Sequence, residues 1–416
     1  VALAVLSLIV LAVRPYYGIL LLIASKPIID TGFYKVISFN LSITRGVAVA
    51  VPFLIILAIM RAPPSARLGK MPLKGIWLVY TFDIFLFSSL TVAGSGIADG
   101  LQVFFRHMHG FVGFYMIQAY FHDRDKLRTL LHAFLLAGLF PIGVGVYQMV
   151  TGQIISPHAG GDMVEGLQRS VGLYHDVFTV RYYALQTLIT ILLYWAIYLP
   201  RKQFKIMALI GYAMLSIGVV FKAYTKAGLM TLALWSVIWT VSQRKYVQLA
   251  VIIVAVVLIS LYFSDTIVAD IERIFRKEIG ALQGELRVDE TFEGRWIGWG
   301  ARLEQWSDLG LMKQLFGSGI LMVGAHNDYI QMLFHGGLLG LSIYVSLLLV
   351  IGLLILRNLF EKVEPLRVAA LMLFLMYLID TIGLVPSSYV GYQWLVWGFI
   401  GLSFRMRADE RSKRMS

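Results

Sequence analysis

Phe334-His335-Gly336-Gly337-Leu338-Leu339-Gly340-Leu341-Ser342-Ile343-Tyr344-Val345-Ser346-Leu347-Leu348-Leu349-Val350-Ile351-Gly352-Leu353-Leu354-Ile355-Leu356 contains no Asp, Glu, Lys or Arg. Wound as an α-helix, such a run crosses the roughly 30 Å of hydrocarbon in a bilayer. Its apolar residues are continuous rather than alternating, which predicts a helix and not a strand of a membrane barrel. Comparable runs recur near 16–29, 41–60, 73–92, 101–120, 127–150, 177–199, 204–221, 224–241, 247–264, 366–385 and 389–404, with a shorter one at 1–13. The pattern predicts an all-α, polytopic membrane protein of about twelve transmembrane helices.

Composition points the same way. Of the 416 residues 58% are hydrophobic and 14% charged, and the mean hydropathy is +0.76, more than the core of a water-soluble domain requires. Of the 36 Lys and Arg, 21 fall in one alternating set of connections: Arg14, the clusters at 61–74, 124–128, 201–205, 244–245 and 357–367, and the tail at 405–414. That asymmetry predicts a cytoplasmic side. The net charge of +12 then reports topology and anionic lipid rather than nucleic acid. The opposite face receives two longer connections, 151–176 and 265–325. The expected organisation is transmembrane helices over 1–264, an outer loop over 265–325, and transmembrane helices with a basic tail over 326–416. Absence of cysteine removes thiolate metal sites and cysteine nucleophiles.

The outer loop is the one shift in composition. It carries seven basic and ten acidic residues, so an anion bound there would be held by placed side chains rather than by the average field. Ile267, Ile271, Ile274, Phe275, Ile279 and Leu282 recur at helical spacing and predict an amphipathic helix at the membrane surface. A second helix is expected from about Gly294 to Leu311. On it Arg295, Trp299, Arg302 and Trp306 share one face. That stripe suits a grip on phosphate or sugar, and equally an interfacial anchor of indoles with solvated guanidinium groups.

His326 stands close to the N-terminus of the helix that carries Phe334. The positive end of a helix macrodipole disfavours imidazolium, so a neutral ring able to accept a proton is expected. A hydrogen-bonded structural histidine is the competing reading. Asn327 and Asp328 also suit helix capping, and Gly336, Gly337 and Gly340 suit close helix packing. Lys222 and Lys226 lie four apart and read as one helical face, where two ammonium groups repel until an anion joins them. A lipid phosphate and a diphosphate substrate both fit.

Further outward-facing residues are Arg106, His107 and His109, then His158, Arg169, His175 and Arg181. Arg169 and Arg181 are candidate diphosphate contacts, with interfacial snorkelling as the alternative. His107 and His109 are two apart and point to different faces, which argues against a shared metal. Asp123-Arg124-Asp125 reads as solvated loop. Asp83 and Asp380, inside spans, suit a transporter's proton relay or satisfied partners of neighbouring helices. There is no Walker loop, dinucleotide fingerprint or zinc-ligand spacing, and no cofactor is expected.

Arg295-Trp296 with Trp299, then Leu315-Phe316-Gly317-Ser318-Gly319, then His326-Asn327-Asp328-Tyr329-Ile330-Gln331 and Gly336-Gly337-Leu338-Leu339-Gly340, resembles the signature of the O-antigen ligase and O-antigen polymerase superfamily. Thr225-Lys226-Ala227-Gly228 resembles that family's Ser-Arg-Gly element, with Lys226 in place of the arginine. Lysine keeps the charge and loses the bidentate fork. Either Lys226 with Lys222 acts as a point charge, or Arg181 or Arg169 does the gripping.

The resemblance implies a GT-C-like glycosyltransferase in the bacterial inner membrane with its active site facing the periplasm. It implies transfer of a glycan from undecaprenyl diphosphate to a sugar hydroxyl, with inversion and without a metal. The acceptor is a lipid A core sugar for a ligase, the favoured reading, and a growing repeat-unit chain for a polymerase. His326 is then the catalytic base. Arg295, Lys226, Lys222, Arg181 and Arg169 face the diphosphate, and Trp299, Arg302, Asn327, Asp328 and Tyr329 contact glycan. The expected partners are donor, acceptor and membrane lipid, with no nucleic acid. From other classes, a membrane transporter would need paired intramembrane charges at broken helices, and a structural partner in polysaccharide export would need no chemistry.

Overall fold

Asp123, Asp176 and Asn327 each begin a long helix by accepting a backbone N–H three residues on, from Lys126, Thr179 and Ile330. Each cap satisfies one of the donors a helix start leaves open. The computed structural model describes residues 1–32, 36–38, 41–62, 71–156, 163–199, 202–244, 268–291, 294–319 and 325–415. The expected span near 247–264, Ile267, His158 and the basic residues at 67, 70, 201 and 245 lie outside them.

About 82% of the described residues are helical. In chain order the helices are α1 (Ala2–Val13), α2 (Pro15–Asp30), α3 (Ile43–Met60), α4 (Lys74–Ser95), α5 (Ile97–Tyr120), α6 (Arg124–Thr151), α7 (Val177–Tyr198), α8 (Gln203–Lys222), α9 (Lys226–Ser242), α10 (Ala269–Ile274), α11 (Arg276–Leu282), α12 (Arg295–Ser307), α13 (Leu311–Phe316), α14 (Asp328–Glu361), α15 (Pro365–Gly383) and α16 (Val390–Met415). Two short antiparallel hairpins, at 36–42 and 163–168, are the strands among the described residues. Seven of the described helices, α3, α4, α6, α7, α8, α14 and α15, are long and apolar enough to cross a membrane.

The chain divides into two compact units, each gathered from three stretches. The first holds Val1–Val47, Asp123–Gly280 and Val363–Met372, and the second holds Ala48–His122, Ala281–Lys362 and Leu373–Ser416. In the first unit Tyr182 and Tyr183 of α7 donate to Asp30 at the end of α2, at 3.3 and 2.7 Å, and Asp30 is ion-paired with the buried Lys26. Trp235 of α9 donates to the Met372 carbonyl of α15. In the second unit Trp77, Trp394 and Trp397 are fully buried, with Trp397 edge-on to both Trp77 and Tyr377.

The apolar run that opens with Phe334 is one long helix with a break. At Gly337 the backbone turns to φ 65°, ψ −162°, a conformation that residues with a Cβ rarely adopt. The Leu315–Gly319 turn fits into the break: Ser318 donates through its backbone N–H (2.8 Å) and its hydroxyl (3.0 Å) to the Phe334 carbonyl. A Cβ on Gly317, itself at φ 100°, would stand 1.9 Å from the His335 carbonyl oxygen, and one on Gly337 would stand 2.4 Å from the Leu315 carbonyl. Gly337 therefore marks a break as well as the close packing contact expected of it, and the Gly-x-Gly motif is the plug that satisfies the interrupted backbone.

The expected amphipathic helix is two helices, α10 and α11, parted at Phe275. Ile274 is buried with Val164, Leu167 and Tyr224, while Leu282 is exposed. The segment is thus packed against protein along part of the face expected to meet lipid.

Candidate functional site

In the second unit α12 opens at Gly294, held at φ 70°, and this puts Arg295 on the first turn. Arg295 Nη1 donates to the Gly383 carbonyl at 2.7 Å. Asn327 Nδ2 donates to the neighbouring Ile382 carbonyl at 3.1 Å. Two consecutive carbonyls at the end of α15 therefore anchor two residues 32 apart in sequence, and between them bring Arg295 into electrostatic range of His326.

His326 is solvent-exposed and sits at φ 44°, a strained left-handed backbone for a residue with a side chain. Desolvation against its surroundings lowers its pKa, and the Arg295 guanidinium lowers it further. Partial desolvation first and the cationic neighbour second favour the neutral imidazole, in place of the helix macrodipole expected to do so. Trp299 is 7% exposed and donates its indole N–H to the Ala325 carbonyl at 3.0 Å. It packs with Ala325, Ile330 and Phe334 and so holds the segment that carries His326.

The expected glycan contacts separate on inspection. Trp299 is enclosed, as just described, and its indole faces no open surface. Asp328 is fully buried, accepting from Ser387 Oγ (2.7 Å) and Tyr344 OH (3.1 Å). Asn327 is the buried N-cap of α14. Tyr329 is half-buried and accepts from Thr381. Arg302 donates to Gln305 one turn along its own helix, at the surface. Trp296, part of the sequence motif but not among the expected glycan contacts, is 47% exposed beside Trp299. Arg302, Tyr329 and Trp296 thus remain open for a sugar to approach.

The first unit holds the other cations. Lys222 ends α8 and Lys226 begins α9, with Tyr224 between them at φ 45°, so the two lysines do not share the helical face expected from their spacing. Lys222 Nζ donates to Tyr224 OH at 2.5 Å, and that hydroxyl donates to Asp270 at 2.7 Å. Burial first, then the bond to Asp270, raises the Tyr224 pKa, which keeps this proton in place. Lys226 Nζ donates to Glu278 at 2.8 Å. A cation at a helix start opposes the macrodipole, and Glu278 compensates. The anion that joins these lysines is protein carboxylate from α10 and α11, whose distance along the chain hid it from sequence reasoning.

Arg181 is 1% exposed, its guanidinium over the Phe178 ring at 4.7 Å, and its side chain lies against Gly228, where a Cβ would stand 2.8 Å from its Cδ. Arg169 and Lys222 both line a cavity of about 180 Å³, with Gln148, Gln153, Gln168 and Ser170 supplying most of its polar wall. Gln148 is itself fixed, accepting from Ser170 Oγ and Gly172 N, both at 2.9 Å.

His107 and His109 serve different neighbours, as their spacing indicates. Trp394 donates to His109 Nδ1, so Nε2 carries that ring's proton toward the Ala48 carbonyl. His175 lies 2.8 Å from Asp176. Asp123 caps α6 and pairs with Lys126. Asp380 accepts from Tyr392 at 2.8 Å, the satisfied-partner alternative. Lys26 with Asp30, and His335, are ionisable residues buried in or beside apolar runs that sequence reasoning missed. Their signal was an ionisable side chain inside or beside such a run.

Fold and site together define a mostly helical protein with seven helices of membrane-crossing length and composition among the described residues. Compared with known families and proteins, the chain matches no family model and no curated protein.

Proposed function

We propose that the protein is a glycosyltransferase of the O-antigen ligase type, polytopic in the bacterial inner membrane with about twelve spans in a GT-C-like arrangement, acting at the periplasmic face. It takes a glycan from undecaprenyl diphosphate and gives it to a sugar hydroxyl, with inversion. The observation that carries the reading is the pairing of an exposed, neutral, backbone-strained His326 with Arg295, reached from distant segments through the carbonyls of Ile382 and Gly383.

In this reading His326 removes the acceptor hydroxyl's proton as that oxygen attacks the anomeric carbon. The bond to the diphosphate oxygen breaks, and Arg295 offsets the charge that develops on the leaving group. In the first unit, as a separate candidate, Arg169 and Lys222 line a cavity of their own that suits an anion. Arg181 is a packed guanidinium and Lys226 a brace paired with Glu278.

Purified protein supplied with an undecaprenyl-diphosphate glycan and a sugar acceptor is expected to form the transferred product unaided; no product from well-folded protein removes the enzymatic reading. In cells lacking the gene, lipid-linked chains are expected to accumulate. Accumulation of single capped repeats would instead assign the polymerase reaction. A second reading, proton-coupled transport, gains from the break in α14 beside buried Asp83 and His335. Solute uptake by proteoliposomes without glycan transfer would select it.

A further inference from the structure

The break at Gly337 has ionisable neighbours that glycan transfer does not use. His335, two residues before it, is fully buried, and neither of its ring nitrogens has a hydrogen-bond partner among the described residues. Its ring stacks on Phe87 at 5.9 Å and meets the edge of His107 at 6.1 Å. From α4, Asp83 is buried, and its Oδ2 likewise has no hydrogen-bond partner among the described residues. The carboxyl points at a recess in α14 made by two missing side chains. A Cβ on Gly340 would stand 3.2 Å from Oδ2, and one on Gly336 would stand 3.8 Å away.

An ionised carboxylate in such surroundings, with no cation and no donor on one oxygen, costs several kcal/mol. A carboxylic acid costs far less. His335, whose ring stacks on Phe87 one turn along α4 from Asp83, carries the kind of nitrogen lone pair to which an acid O–H donates. The groups facing this pair are Tyr80 on α4, His107 and Arg106 on α5, and Asp328 at the start of α14. Tyr80 OH lies 3.2 Å from His107 Nδ1. Arg106 is in electrostatic range of both imidazoles, and Asp328 of Tyr80. The Arg106 charge disfavours a second positive charge on His335, and an ionised carboxylate on the same side of α14 would favour it.

We propose that Asp83 and His335 form a proton-binding centre at the break in α14. One proton from bulk water adds to the Asp83 carboxylate and gives the neutral acid. The alternative acceptor is a ring nitrogen of His335: a proton held there instead gives a carboxylate and an imidazolium, with the same net charge. Ionisable residues beside an interrupted membrane helix are the arrangement through which a bound ion biases helix position. The centre stands whether the protein transfers glycans or moves a solute.

The test is infrared difference spectroscopy across a pH titration of the full chain in nanodiscs. Wild-type protein is expected to show a protonated-carboxyl band at a pH where water-exposed carboxylates are ionised. Asp83→Asn should lack that band, and His335→Gln, which leaves the carboxyl in place, should move its titration midpoint by about one pH unit or more. Should Asp83→Asn not fold, wild type and His335→Gln suffice: no such band, or an unmoved midpoint, overturns the proposal. A midpoint that tracks sodium concentration overturns it in favour of a metal-cation site.

Discussion

Lys226 and Arg295 occupy the same place in two different helices, the first residue, where the macrodipole makes a cation unwelcome. The two units answer in different ways. Lys226 meets the Glu278 carboxylate at 2.8 Å, and the pair is close to neutral. Arg295 Nη1 donates to the Gly383 carbonyl, and its charge reaches His326. A cation answered by a carboxylate braces a fold. A cation within reach of an imidazole favours that ring's neutral form.

The largest effect expected from this contrast is on glycan transfer. His326→Ala should lower the rate by about 10²–10⁴-fold, the usual contribution of a general base, while Lys226→Met should lower it less than about tenfold. Rates are compared at matched protein levels. Equal losses would break the comparison and return Lys226 to the chemistry. The next effect is on pH dependence. A base works when neutral, so activity should fall only as pH drops through the lowered pKa of His326. Removing the Arg295 charge lets that pKa rise, and the acid limb should move to higher pH in Arg295→Gln, whatever the absolute rate. Arg295→Lys keeps the charge and should leave the limb where it is. A limb that stays fixed in Arg295→Gln would separate the two residues.

The helices were legible because continuous apolar runs leave few alternatives, and every such run within the described residues is helical. Helix interruptions were less so. Gly336-Gly337 reads in sequence as a packing pair, and only the two donors that Ser318 turns on the Phe334 carbonyl reveal that the second glycine stands at a break. The stripe of Arg295, Trp299, Arg302 and Trp306 was legible as one helical face, but periodicity does not say what covers it. Ala325, Ile330 and Phe334, which enclose Trp299, come from a segment that spacing along α12 does not reach. The same limit hid the partners of the lysines. Asp270 and Glu278 sat among ten acidic residues of one loop, and pairing within a mixed-charge segment is decided by the path of the chain.

The smallest effect tests the brace itself. Side chains of Lys226 and Glu278 are 17% and 23% exposed, enclosed enough that losing one partner strands the other. Lys226→Met alone should destabilise the protein by about 1–2 kcal/mol, since a partly buried carboxylate is left without its cation. Glu278→Gln alone should cost a similar amount. Combined, the two should cost less than their sum, with a coupling of about 1 kcal/mol, read from denaturant unfolding in detergent as a double-mutant cycle. Strict additivity would mean that the 2.8 Å contact contributes nothing. Lys226 would then be a cation awaiting an anion from outside the chain, and the difference from Arg295 would vanish.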